Sequence, residues 1–186
     1  MMNSDIQNIM KLVLRKKVEK RCNKYGFIDE VHRIETFEEE DLKPENLSGC
    51  ASYYINYHCR LCIPIENSII IAQVKAINQE LILAINGPIM IFIPKDNIDA
   101  SIWDVTDKFL NRKDKSNLKI NNFIKIEVIN KRINQGDHQI KVIGKILDYA
   151  TEDDVDKYFG SIINKEIEKE DDTSDKDKNE ENNFII

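Results

Sequence analysis

Apolar residues recur along this chain in two different periods, and the change of period divides it. Between Ser4 and Arg21 they fall three and four apart, at Ile6, Ile9, Met10, Val13 and Val18. That repeat belongs to one face of an amphipathic helix, predicted over 4–21. Ser4 occupies the N-cap position, with Gln7 three residues on as its capping-box partner. Arg15, Lys16, Lys20 and Arg21 line the remaining faces. From Gly26 the pattern becomes alternation. GFIDEVHRI (26–34) predicts a strand. ETFEEEDLKPENLSG (35–49) predicts a loop, because Glu38, Glu39, Glu40 and Asp41 repel one another and Pro44 and Gly49 break regular structure. Residues 50–65 predict one long or bent strand with Tyr53, Ile55 and Tyr57 on one side. A helix followed by antiparallel strands makes a small α+β unit.

A second module begins near Glu66. In 68–77 the even positions Ile70, Ala72, Val74 and Ala76 are apolar. Asn78-Gln79 is a turn, Leu81–Ile85 a second strand, Asn86-Gly87-Pro88 a turn, and Ile89–Ile93 a third strand. A fourth runs Phe123–Asn130 with Ile124, Ile126 and Val128 inward. Gln135-Gly136-Asp137 turns into a fifth, His138–Leu147, with Ile140, Val142 and Ile146 inward. Five short strands with one apolar face each suit a small closed barrel of the OB type, which hides its edges by closure. The connection 99–121 is expected to carry a short helix around Ser101–Leu110, with Trp103 and Phe109 packed down on the barrel. Beyond Thr151 a weak stripe (Val155, Phe159, Ile162, Ile163) predicts a helix over 152–168. EKEDDTSDKDKNEENN (168–183) lacks apolar groups and is expected to be disordered. Phe184, Ile185 and Ile186 follow it. The predicted fold class is α+β: an N-terminal helix-plus-sheet domain (1–65), an OB-type barrel (66–148) and an acidic, largely disordered extension (149–186).

Charge sharpens this division. The net charge of −6 over 186 residues comes from the extension, where five Lys and Arg face thirteen Asp and Glu. The first two segments are close to neutral, so an acidic whole does not exclude a nucleic-acid partner. Apolar content of 41% supports small cores. No run of about 18 apolar residues occurs, and the N-terminal residues lack the apolar stretch of a secretory signal, so an intracellular protein without a membrane partner is expected. Heavy use of Ile, Asn and Lys marks an A/T-rich genome. Four cysteines suit a reducing compartment. Cys59-x-x-Cys62 is set aside as a metal site: it lies in a strand, where positions three apart face opposite ways, and no second pair completes four ligands. His32, His58 and His138 are expected to be isolated.

No Ser/His/Asp arrangement, P-loop, G-x-G-x-x-G or H-E-x-x-H occurs, so no catalytic residue, cofactor or metal is assigned. Binding remains. With even positions inward, Lys75, Lys125, Lys141 and Lys145 point outward, and Lys95, Lys131 and Arg132 stand near strand ends. Single-stranded nucleic acid is held by such basic groups together with aromatic faces. The aromatic supply is thin (Phe92, Trp103, Phe123), and Glu80, Asp96 and Glu127 dilute the charge. A solvated lysine face and weak, salt-sensitive RNA contact both fit the pattern.

Read in order, KYGFIDEVHRI, GCASYYINYHCRLCIP and IIIAQVKAINQELILAINGPIMIFIPKDNI resemble the RNA polymerase stalk subunit family, which includes the seventh subunit of eukaryotic RNA polymerase II and its archaeal counterpart. The likeness covers roughly 6–148. Gly87, Pro88, Phe92 and Ile93 match the family's G-P-x-x-x-F-(I/V) run, and Tyr57, Ile63 and Pro64 match the end of its linking strand. The resemblance implies a non-catalytic polymerase subunit. Its tip (1–65) would dock on the core beside the clamp, against the largest and second-largest subunits, with room for a second stalk subunit. Its barrel would touch nascent RNA through Lys75, Lys95, Lys125, Lys131, Arg132 and Lys141. Docking would fall to Phe37, Leu42, Pro44, Leu47, Arg15 and Lys16. The family's N-terminal strand is largely missing, FEEEDLKPENLS replaces a glycine-rich segment, and the extension is additional. With the A/T-rich usage, these departures point to a large DNA virus first and to an A/T-rich protist as the runner-up. Host cytoplasm and virion are then the expected locations, and the nucleus otherwise. The alternative is a free-standing RNA-binding barrel protein.

Overall fold

The computed structural model describes residues 2–39, 52–104, 109–112 and 115–160. The fold is α+β. Helix α1 (Met2–Val18) contains neither Gly nor Pro and ends at a turn where Lys20 takes a left-handed φ of 58°. It begins two residues before the predicted cap, so Ser4 lies inside the helix. It also stops three residues short of the predicted end. Arg21 and Cys22 leave it to form strand β1 (Arg21–Cys22), paired antiparallel with Phe27 and Ile28. An Asn23 turn closes this hairpin: its Oδ1 accepts hydrogen bonds from the backbone N–H of Tyr25 (2.8 Å) and Gly26 (2.9 Å).

Strand β2 (Phe27–Glu39) is longer than predicted. It pairs antiparallel with β3 (Tyr53–Cys62) along its whole length, to Glu39↔Tyr53. Residues 35–39, expected in a loop, are therefore strand. Local repulsion is outweighed because pairing leaves the side chains of Glu35 and Glu38 exposed to solvent while the backbone ladder continues. Three register shifts interrupt the ladder, between Ile28/Glu30, Val31/Arg33 and Ile34/Thr36. Such bulges bend and twist a two-stranded ribbon. The sheet order is β1-β2-β3. Met10, Cys22, Phe27, Ile28 and Val31 are buried and form the apolar centre of this part.

Strands β4 (Ile69–Ile77), β5 (Leu81–Asn86), β6 (Ile89–Pro94), β9 (Phe123–Arg132) and β10 (Ile140–Tyr149) close into a barrel of order β10-β6-β5-β4-β9. Antiparallel pairing runs β4 against β9, Ile70↔Ile126 and Ala72↔Ile124. Closure is parallel, β10 beside β6, Ile140↔Ile89 and Val142↔Ile91. This mixed, five-stranded closure is the OB-type arrangement expected from the strand count. Of the predicted inward residues, Ile70, Ala72 and Val74 on β4, Ile124, Ile126 and Val128 on β9, and Ile140, Val142 and Ile146 on β10 are buried, while Ala76 at the end of β4 is half-buried. Each fully buried Ile contributes about 1.5–3 kcal/mol of transfer free energy. At the β5–β6 turn Gly87 has φ +52°, a conformation that disfavours any side chain.

The connection after β6 differs from expectation. A single 3-10 turn (Lys95–Asn97) is followed by two-residue strands β7 (Trp103–Asp104) and β8 (Leu110–Asn111), paired antiparallel. Among the described residues of Ser101–Leu110 the predicted helix is absent, because Trp103, Asp104 and Leu110 are drawn into this ladder. Residues 105–108 lie outside the described residues. Trp103 is fully buried and Phe109 buried, as their packing role requires. The Trp103 ring meets Tyr149 at a tilt of 56°, centroids 5.2 Å apart, and the Tyr149 hydroxyl donates to the Ser116 carbonyl. Buried Asn111 donates to Asp148. Helix α2 (152–160) follows β10. The rest of the extension, including 168–183 and Phe184–Ile186, lies outside the described residues.

The chain divides into two compact units, 1–68 with 85–92 and 128–144, and 69–84 with 93–127 and 145–186.

Candidate functional site

Two surfaces carry residues that chemistry could use. The first is on α1. Ile9 is 64% exposed and Leu12 and Val13 are each 55% exposed, with Ile6 beside them. Of the aliphatic stripe read from the sequence, Met10 is the buried member. The other side of α1 is fastened to β2 through Arg15. Its guanidinium donates to the Val31 carbonyl (Nη2, 2.9 Å; Nε, 3.2 Å) and pairs with Glu30 and Glu19. Glu19 Oε1 in turn accepts from the Val31 N–H at 2.7 Å. With β2 held by Arg15, the aliphatic residues face outward. They border an open groove of about 600 Å³ whose walls include Ile9, Val13, Val18, Tyr53 and Ile55. Lys16 is exposed, and Phe37 is half-buried in an edge contact with Tyr53. Leu42, Pro44 and Leu47 lie outside the described residues. Leu12 escaped the sequence reading because it adds a second row beside the stripe Ile6, Ile9, Val13. Only the lack of a covering element among the described residues marks it.

Asp29 binds both Lys20 and Arg60. Burial works against its charge, yet the hydrogen bonds from Lys20 and Arg60 outweigh it and hold the carboxyl below the usual range. Cys59 and Cys62 are free thiols in β3. Burial pushes the Cys62 thiol up, helped by the negative Asp29. His58 is exposed beside Glu35 at 3.4 Å.

The second surface is the outside of the barrel. The basic residues named from the sequence fall into separate groups. Lys131 donates to the Pro64 carbonyl at 2.9 Å, and Arg132 to Asn134. Lys141 lies 3.4 Å from Asp137, whose carboxyl is held low by hydrogen bonds from Asn134 and then Lys141. The turn carrying Asp137 and Gly136 also ties to β1. Cys22 N–H donates to the Asp137 carbonyl, Gly136 N–H to the Cys22 carbonyl, and His138 Nδ1 lies 2.9 Å from the Lys20 carbonyl. His138 is therefore a bridging residue, not an isolated one.

Lys75 is exposed and donates to Gln73, the register partner of Phe123. Lys95 is exposed on the 3-10 turn. Lys125 forms an ion pair with Asp154 at 2.7 Å. Asp154 also closes the N-cap of α2. It accepts from the Thr151 hydroxyl (2.6 Å) and N–H (3.1 Å), and its own N–H donates back to Thr151 Oγ1. Lys125 and then Thr151 hold the Asp154 carboxyl far below the usual range. Phe123 meets Phe159 edge-on at 6.1 Å. Trp103, being fully buried, offers no face for stacking. The partners Asp154 and Phe159 were not foreseen, although Thr151-Glu152-Asp153-Asp154 carries the capping-box spacing that would have placed α2's first turn.

No group of three or more His, Cys, Asp or Glu among the described residues is placed to hold a metal. Among them no helix is long and apolar enough to cross a membrane.

No family model matches this chain. A protein of Acanthamoeba polyphaga mimivirus, named "Putative DNA-directed RNA polymerase subunit L376", is 30% identical to it over 173 residues, 91% of this chain and 87% of that protein. Such identity over most of both chains is a family relation and not a shared fold alone. The chain belongs to this family of DNA-directed RNA polymerase subunits.

Proposed function

We propose that this protein is the stalk subunit of a virus-encoded RNA polymerase, non-catalytic itself. Its helix-plus-sheet tip docks on the core near the clamp, against the two largest subunits, and its barrel contacts nascent RNA during initiation and elongation. The observation that carries the reading is the row of exposed aliphatic side chains on α1, Ile9, Leu12 and Val13 above all. Contiguous apolar surface held out by a salt-bridged scaffold marks a protein interface. A free-standing RNA-binding barrel has no use for it. Lys16, Phe37 and the segment of Leu42, Pro44 and Leu47 extend the docking surface. Arg15 supports it from within, since its guanidinium is spent on Val31 and Glu30.

RNA contact is assigned to the exposed Lys75, Lys95, Arg132 and Lys141, with the half-buried Lys125 and Lys131, held by Asp154 and the Pro64 carbonyl, as secondary groups. Few phosphates are neutralised, so binding is weak and falls with salt. The polymerase then works in the host cytoplasm. Purification of a tagged chain from producing cells, followed by mass spectrometry, tests the reading. Stoichiometric recovery of the two largest polymerase subunits is expected. Recovery of the chain alone, with RNA affinity, would favour the free-standing alternative.

A further inference from the structure

The wall of the barrel formed by β4 and β9 has an outer layer. Ile71 and Lys125 are register partners on the outward side, yet Ile71 is only 6% exposed. Phe123 and Lys125 stand two apart on β9, so both project from the same face, about 6.6 Å apart along the strand. One is an aromatic ring and the other a cation, the two groups by which single strands are held. In this structure both are occupied by α2. Phe159 lies against the ring, and a carboxylate oxygen of Asp154 lies 2.7 Å from the ammonium. Asp154 thus stands where a phosphate oxygen would, and Phe159 where a base would.

The first turn of α2 strengthens the likeness. Glu152, Asp153, Asp154 and Asp156 make it strongly anionic, which suits the positive end of a helix. The hold on Lys125 is also exchangeable. Both side chains of the pair are about one-third exposed (33% and 32%), and an ion pair so placed contributes little on its own. A phosphate offers the same charge-assisted bond.

We propose that α2 is a displaceable cover over a nucleic-acid subsite: on opening, Lys125 passes from Asp154 to a phosphate of single-stranded RNA, and Phe123 passes from Phe159 to a base. This rests on the reading of the barrel as an RNA contact. It adds that the family member described here carries its own anionic competitor, so that the transcript engages this wall only where α2 is displaced.

The test uses the full chain, labelled oligouridylate and fluorescence anisotropy over a salt series. Thr151→Ala with Phe159→Ala removes the cap and the ring contact without changing net charge, so the acidic extension repels RNA equally in both proteins. The opened protein is expected to bind at least about fivefold tighter at low salt, the lower bound of one stacked base. Its slope of log K against log salt steepens by about 0.7, one extra phosphate contact. Adding Lys125→Ala to the opened protein returns the slope to that of the wild type. Asp154→Asn, a single change, shifts affinity the same way, and the charge-matched Asp156→Asn shifts it less. Wild-type binding that these substitutions leave unchanged overturns the cover alone. Absence of RNA binding in both wild-type and opened proteins overturns the RNA reading, and the cover with it.

Discussion

Gly26 offers a sharp test of how the tip is built. It lies between the Asn23 turn and β2, directly before the Phe27↔Cys62 pair. A Cβ at this position would meet Ile63 Cγ1 at 2.6 Å and the Cys62 carbonyl oxygen at 2.9 Å. The two clashes differ in kind. Ile63 is exposed and can rotate away. The Cys62 carbonyl belongs to the β2–β3 ladder and moves only if the strands separate. Gly26→Ala is therefore an overpacking change, and such changes cost typically about 1–3 kcal/mol. A value near 2 kcal/mol lowers Tm by about 4–8 °C for a chain of this size. Gly87→Ala and Gly136→Ala are the controls. Nothing stands within 4 Å of a Cβ at either, and their cost is backbone strain from φ +52° and +89° alone. Thermal unfolding followed by near-UV circular dichroism reads all three. Shortening the competing side chain in Ile63→Ala should rescue little of the Gly26→Ala loss, because the carbonyl remains. An unchanged Tm for Gly26→Ala, or full rescue by Ile63→Ala, would refute the argument that backbone approach requires this glycine.

Other outcomes follow from the same geometry. Ile9→Asp with Val13→Asp should abolish co-purification with the two largest polymerase subunits while changing stability by no more than about 0.5 kcal/mol per site, as usual at exposed positions; Tm and pull-down measure the two effects. Trp103→Ala, at a fully buried site, should cost about 3–5 kcal/mol in denaturant unfolding and loosen the Tyr149 contact. The lowered pKa of Asp29 contributes stability that is fully present above the unfolded value near 3.9 and is lost as pH falls through the lower folded value. Acid titration of unfolding should therefore show a smaller loss below about pH 4 in Asp29→Asn than in the wild type.

The strands of the barrel were legible because their signal is local. Each inward residue of β4, β9 and β10 is set by a period of two, and closure follows from five such strands with the right turns. The connection was not legible. Ser101–Leu110 has the spacing of a short helix, but Trp103 pairs with Asn111 and Asp104 with Leu110 in a ladder that periodicity cannot foresee. β2 outran its prediction for a related reason: Glu35, Glu38 and Glu39 look like loop residues until β3 supplies a partner strand. The candidate sites divide in the same way. The basic residues could be named from alternation, but their partners could not. Arg15 proves to be spent on Val31 and Glu30, Lys131 on Pro64, and Lys125 on Asp154. Each of these contacts joins residues at least 15 apart in sequence, beyond the reach of any local pattern.

Cross-linking mass spectrometry of the assembled polymerase tests the stalk assignment most directly. Amine-reactive cross-links should join Lys11, Lys16 and Lys17 on α1 to the two largest subunits, while Lys75 and Lys95 on the barrel remain free of them. A polymerase that lacks this chain, or one that holds it by the barrel lysines with α1 unlinked, would contradict the account.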